Sequence, residues 1–220
     1  TAGCTHRKCK FCTLYEDLPF KFRRTPLETM EADLLEAQTW FHDPLHKAEE
    51  QLFGLDETNA SRIFLAGANP FGFRAHHLLD IAELAHRSFP RLKSIGCFSR
   101  VTDVTQKTDE ELAALAQAGF DGLTIGIETG DDEALAFMDK GYESKDIVEQ
   151  CARLDAAGIG YAFFYLAGIS GKGRGIVGAR ATAEVCNQTH PWLIGANMLT
   201  IYKSSELYRE IEEGQWEEET

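Results

Sequence analysis

"GLTIGIE" (residues 122–128) is a short apolar run, rich in β-branched residues, that ends on a carboxylate. That composition suits a strand buried inside a parallel sheet. Four other runs share it: "RIFLAG" (62–67), "LKSIGCFS" (92–99), "YAFFYLAGI" (161–169) and "LIGANMLTIY" (193–202). Between them lie helical patterns. Thr25-Pro26-Leu27-Glu28 reads as a capping box with proline at the first helical position, opening a helix with Met30, Leu34 and Leu35 on one side. Residues 75–88 repeat the amphipathic pattern with Leu78, Leu79, Ala82 and Ala85. A second capping box, Thr108 to Glu111, leads into Leu112, Leu115 and Ala116. Ser144 is expected to cap a helix with Ile147, Cys151 and Leu154 inward, and residues 176–188 and 204–212 supply two more. Strand and helix therefore alternate, which predicts an α/β fold with a parallel sheet. If one strand precedes Thr1, there are six βα units. The chain begins in mid-pattern without a methionine, so an upstream segment carrying that strand is expected, and possibly a further C-terminal part. No linker divides residues 1–220, which read as a single domain. The stretch "FHDPLHKAEEQLFGLDETN" (41–59) reads as an insertion or helix break.

Composition narrows the function. Of the 220 residues, 44% are hydrophobic, enough for a sizeable core. The net charge of −13 argues against a protein that tracks nucleic-acid phosphates, and "KFRR" (21–24) reads as a solvated basic turn. No apolar run approaches the ~18 residues of a membrane-spanning helix. Cys97, Cys151 and Cys186 lie in apolar segments and read as core thiols. The chain reads as cytoplasmic. In that compartment the two Asn-x-Ser/Thr matches, at Asn59 and Asn187, carry no meaning.

In βα folds the chemistry stands at the C-terminal ends of the strands. There this chain has Gly67-Ala68-Asn69-Pro70, Ser99-Arg100, Glu128-Thr129, Ala167-Gly168 and residues 200–202, and, after the inferred first strand, "GCTHRKCKFC" (3–12). Cys4, Cys9 and Cys12 have a C-x4-C-x2-C spacing. A disulfide would leave an odd cysteine. Structural zinc would need His6 as fourth ligand. A nucleophilic thiol would need one cysteine and a base. An iron–sulfur cluster with one iron left open for another ligand accounts best for three thiolates with no fourth nearby.

These motifs, in this order, resemble the radical S-adenosylmethionine (radical SAM) superfamily. The three cysteines carry an aromatic, Phe11, before the last. "FLAGANP" resembles the superfamily's glycine-rich motif. "GLTIGIETGDDEALAFMDKGY" and "AAGIGYAFFYLAGISG" resemble the branch of oxygen-independent coproporphyrinogen oxidases, methylthiotransferases and elongator-like enzymes. The resemblance covers nearly the whole chain. It implies a partial (β/α)6 barrel whose first strand is truncated here. It also implies a 4Fe–4S cluster on Cys4, Cys9 and Cys12. That cluster would reductively cleave SAM to a 5′-deoxyadenosyl radical, and the radical would abstract hydrogen from an unidentified substrate. A one-electron reductant such as flavodoxin or ferredoxin is implied as partner. By motif match, Phe11 would shield the cluster or the adenine. Gly67, Ala68, Asn69 and Pro70 would receive the methionine amino group. Ser99, Glu128 and Thr129 would face the same space, Lys140 would meet the SAM carboxylate, and Gly168 with residues 199–202 would line the adenine. Two features depart from the pattern. The cysteine spacing is one residue longer than the usual C-x3-C-x2-C, so the loop is expected to bulge outward with His6 not a ligand. Asn69 also stands where an acidic residue is frequent. The alternative is a non-catalytic zinc or iron–sulfur binding protein on a βα scaffold. Among enzymes the rival is a metal-dependent βα-barrel hydrolase or aldolase, which would want more His and carboxylate ligands than Glu128 alone.

Overall fold

The structure is a computed structural model that describes residues 1–54 and 60–219. Five parallel strands form one open sheet in chain order: β3 (Arg62–Leu65), β4 (Ser94–Ser99), β5 (Phe120–Glu128), β6 (Gly160–Ala167) and β7 (Leu193–Met198). Ahead of them, β1 (Ala2–Gly3) pairs antiparallel with β2 (Phe22–Arg23) as a separate two-residue ribbon. The helices are α1 (Leu27–Phe41), α2 (Pro44–Phe53), α3 (Ala75–Ser88), α4 (Val101–Thr105), α5 (Asp109–Gln117), α6 (Asp132–Phe137), α7 (Ser144–Ala157), α8 (Gly175–Asn187) and α9 (Glu206–Glu212). Each pair of neighbouring strands is joined by at least one helix, as parallel pairing requires. The sheet does not close into a barrel; β3 and β7 are its edges.

Period-two alternation builds the core. On β5, Leu123, Ile125 and Ile127 are buried against the helices, and Thr124, Gly126 and Glu128 turn to the other face. Leu78, Leu112, Leu115, Ile147, Cys151 and Leu154 of the helices meet Ile95, Cys97, Tyr161 and Phe163 of the strands in the same cluster. The expectation of buried strands holds best for the central strands: the edge strands β3 and β7 have no fully buried residue, and Phe64 and Phe98, packed edge to face at 5.0 Å, stay 42% and 40% exposed.

Local signals fared unevenly. The Thr108–Glu111 capping box forms with both of its bonds. The Thr25 box does not: Pro26, extended at ψ 147°, is itself the N-cap, which leaves Thr25 one residue too far out to cap. Leu35 lies a helical step away from Met30 and Leu34 and is solvent-exposed. Ser144 is the first helical residue rather than the cap. Its amide and hydroxyl donate to Asp132 at 2.6 and 3.1 Å, while the Glu143 amide donates to Asp146 at 2.8 Å. The presumed break at 41–59 contains α2, capped by Asp43 with Pro44 at its first position. Its last residues, with Asn59, lie outside the described residues. Among the described residues no helix is long and apolar enough to cross a membrane.

Candidate active site

The cysteine loop leaves β1 and runs across the C-terminal rim of the sheet. The Cys4 amide donates to Lys21 at 3.0 Å and the Cys12 amide to Cys9 at 3.0 Å. All three cysteines are free thiols and line one cavity of about 150 Å³, with Ala68 of the turn after β3 and Lys8 and Lys10 of the loop itself. Burial pushes the Cys9 and Cys12 thiols up; the Lys140 ammonium partly opposes this at Cys9, and a backbone hydrogen bond from Leu14 does so at Cys12. Among the described residues no three His, Cys, Asp or Glu side chains gather as ligands of a single ion. Three thiols spread around a cavity match instead a cluster in which each iron takes its own thiolate. The donor set thus fits a 4Fe–4S cluster.

The longer spacer is absorbed at Arg7. Its backbone is left-handed (φ 57°), and its guanidinium donates to Phe20 O at 2.7 Å and Glu16 O at 3.0 Å. The spacer does not simply bulge outward. His6 is turned inward, its Nε2 2.5 Å from the Asp139 carbonyl and its ring beside Gly141.

Beneath the loop lies a buried charge pair. Glu128 ends β5 in a left-handed conformation (φ 61°), with the Thr129 amide closing a γ-turn on Ile127 at 2.8 Å. This turn coincides with a register shift against β6 and aims the carboxylate along the rim. Its partner is Lys140, at 2.9 Å. Lys140 is no solvated helix-end lysine; it is 4% exposed, between the rings of Phe11 and Tyr142 at 5.7 Å each. Burial works against its charge, but Glu128, Tyr142 and Cys9 hold its pKa above the ordinary lysine value. Arg100 donates to the Lys140 carbonyl. Tyr142, not foreseen from the sequence, donates to Gly126 O at 3.0 Å and props the end of β5; a lone tyrosine beyond a short helix carries no pattern that would flag it.

The remaining predicted residues divide. Gly67 sits at φ 128°, where an L side chain is strained, and a Cβ there would also fall 2.9 Å from the Thr1 carbonyl oxygen. Pro70 is buried and opens the 3₁₀ turn Pro70–Gly72. The Asn69 side chain is fully buried and faces Thr5 and Asp103. Ser99 is buried and its hydroxyl donates to the adjacent Arg100 carbonyl. Phe11 packs in a small apolar cluster with Met138, Ile169 and Leu207. Thr129 and Gly168 are apart from the cysteines and line a second cavity of about 230 Å³ between the ends of β5 and β6 and the start of α8.

An open parallel βα sheet with three thiols gathered at its C-terminal rim defines a βα protein built to hold a metal cluster. Over residues 1–172 the chain matches the radical SAM superfamily, and it belongs to that superfamily. Radical SAM proteins work with a 4Fe–4S cluster and S-adenosylmethionine, and they need an electron donor and a substrate. No curated protein sequence matches the chain. Among solved structures it is similar to methylornithine synthase (PylB), with a TM-score of 0.65 and 13% identity over 93% of this chain and 53% of that one. It is similar to coproporphyrinogen III oxidase (HemN) from Escherichia coli, with 0.60 and 16% over 93% and 44%. A third is the radical SAM methyltransferase TsrM from Kitasatospora setae, with 0.66 and 18% over 96% and 37%. The chain spans about half, or less, of the length of these proteins. At such identities they speak for the fold alone.

Proposed function

We propose that this chain is the catalytic core of a radical SAM enzyme in which Cys4, Cys9 and Cys12 hold three irons of the cluster and SAM takes the fourth. The observation that carries this reading is the convergence of the three free thiols on one cavity beside the turn after β3. When bound, the cluster supplies one electron that breaks a sulfonium carbon–sulfur bond, leaving methionine and a 5′-deoxyadenosyl radical able to take hydrogen from a substrate. The chain's own residues bind and orient. The backbone of Gly67, Ala68, Asn69 and Pro70 receives the methionine amino group, and Ser99 belongs to the same rim. Lys140, fixed by Glu128, supplies a buried positive charge beside Cys9 toward the SAM carboxylate. Phe11 screens one side of the cavity from water. Thr129, Gly168 and residues 199–202 receive the nucleoside. A flavodoxin- or ferredoxin-class protein supplies the electron in a cytoplasmic setting.

The test is anaerobic reconstitution with iron and sulfide, reduction in the presence of SAM, and identification of the nucleoside product. About four irons and four sulfides per chain are expected, with 5′-deoxyadenosine formed on reduction. The Cys12→Ala variant is expected to lose both cluster and product. Zinc without sulfide would establish the non-catalytic binding protein instead. S-adenosylhomocysteine in place of 5′-deoxyadenosine would establish methyl transfer.

A further inference from the structure

Asn69 occupies the position at which a contact to SAM is expected, yet every polar atom of its side chain is engaged within the protein. Its Oδ1 accepts from the Thr5 amide at 3.2 Å. Its Nδ2 donates to the Thr5 hydroxyl at 2.6 Å and to the Asp103 carboxylate, 3.0 Å from each oxygen. Asn69 and Asp103 are both 0% exposed. Asp103 is held in turn by the Arg100 amide at 2.8 Å. Gly72 seals the group. A Cβ there would lie 2.9 Å from both Asn69 Nδ2 and Thr5 Cγ2, and 3.0 Å from Asp103 Oδ1.

Only an amide satisfies these partners. One end must accept from a backbone N–H, and the other must donate to a hydroxyl and to a carboxylate. An ionised aspartate of the same shape has no donor and would set two carboxylates about 3 Å apart in a fully buried site. Thr5 directly follows Cys4 and begins the four-residue spacer to Cys9. Arg7, further along, is tied to the carbonyls of residues 16–20. The long spacer is thus held at three of its residues: Thr5 by Asn69, His6 by the Asp139 carbonyl and Arg7 by the carbonyls of residues 16–20.

We propose that Asn69 is a positioning residue for the iron-binding loop. Through the amide and hydroxyl of Thr5 it fixes the chain next to Cys4, and its side chain serves this in place of SAM. The proposal rests on the reading that Cys4 ligates iron. The extra spacer residue and the asparagine then meet at one point: Asn69 bridges the first spacer residue to Asp103, a link that an ionised acid, having no donor, would not make.

The test compares wild type with Thr5→Val, Thr5→Ser and Asn69→Asp, all reconstituted anaerobically. Three quantities are measured: the rate of iron transfer to bathophenanthroline, hydrogen exchange at the Thr5 amide in the metal-free protein, and the metal-free thermal midpoint. Thr5→Val and Asn69→Asp are expected to release iron about tenfold faster, the scale of one lost buried hydrogen bond. Thr5→Ser, which keeps the hydroxyl, restores the wild-type rate. In a further variant, Asn69→Ala, which removes the acceptor of the Thr5 amide, that amide exchanges about tenfold faster. The midpoint of Thr5→Val falls by no more than about 4 °C, which separates a loosened loop from a weakened fold. If Asn69→Asp does not fold, the two Thr5 variants carry the comparison. Iron retention in Thr5→Val and Asn69→Asp equal to wild type, or a Thr5→Ser variant as leaky as Thr5→Val, overturns the proposal. If wild type itself takes up no cluster, the reading of the cysteines is what fails, and amide exchange at Thr5 still decides whether the anchor exists.

Discussion

Glu128 and Lys140 were each read from the sequence as groups awaiting a ligand, and each turns out to hold the other. A lysine 4% exposed keeps its charge only because a carboxylate stands 2.9 Å away. Glu128→Gln removes that carboxylate at nearly constant volume and strands the ammonium. The variant is expected to lose about 3 kcal/mol of unfolding free energy, read by urea titration of the metal-free protein at pH 7. A loss below about 1 kcal/mol would mean that the pair is no more than a surface contact. The pH dependence follows from direction. A lysine whose folded pKa is raised contributes its stability in full below the unfolded value of 10.5, and loses it only as pH climbs through the folded value above that. At neutral pH the pair is therefore fully present. The strained turn at Glu128 fits this account, since a left-handed non-glycine residue persists only where its surroundings over-determine it.

At the scale of the element, the turn Pro70–Gly72 is held in place by α4 and the residues after it. Lys107, itself buried, donates to Phe71 O at 2.5 Å, Phe73 O at 3.1 Å and Asp103 O at 3.1 Å. Burial, only partly countered by Asp103, depresses its pKa to about 8. Between about 8 and 10.5 the unfolded chain holds a proton that the folded one has released. Lys107 therefore adds stability as pH rises through that window. Urea unfolding of wild type and Lys107→Met at pH 7 to 10 is expected to show the difference moving in favour of wild type by about 3 kcal/mol. A flat difference would mean that Lys107 keeps an ordinary pKa. Only the difference is diagnostic. The buried Cys151 thiol, pushed up by burial and with no coupling to Lys107, lowers stability with pH in both proteins alike.

At the scale of the whole molecule, the two ends of the chain meet. The Leu207 amide donates to Lys10 O at 2.9 Å, and Lys10 pairs with Glu210 at 2.6 Å. Leu207 is fully buried with Met138 and Ile169, and Trp216 packs on the same cluster as Phe11. α9 thus covers the cysteine loop from some 200 positions away. Leu207→Ala is expected to cost about 3 kcal/mol in urea and to speed tryptic cleavage at Arg7, Lys8 and Lys10. Unchanged cleavage would show that the loop is held by its local bonds alone.

How much of this was legible follows from how far apart in the chain the interacting groups stand. Strand positions, the αβ alternation and the rim that carries the cysteine loop were readable, because hydrophobic periodicity is local and parallel strands put their C-terminal ends on one side. The three cysteines were readable because their spacing alone brings them near one another. Partnerships were not. That Glu128 faces Lys140, that Asn69 turns to Thr5, and that His6 folds inward to Asp139 depend on contacts between separate segments. Even the Ser144 cap was displaced because Asp132, from another helix, claimed its hydroxyl. Chain chemistry thus settled the fold class and the superfamily, and it singled out the cysteine trio. Tertiary packing decided which polar groups face the site and which are spent holding it, since a buried donor or acceptor takes whichever partner the fold sets beside it.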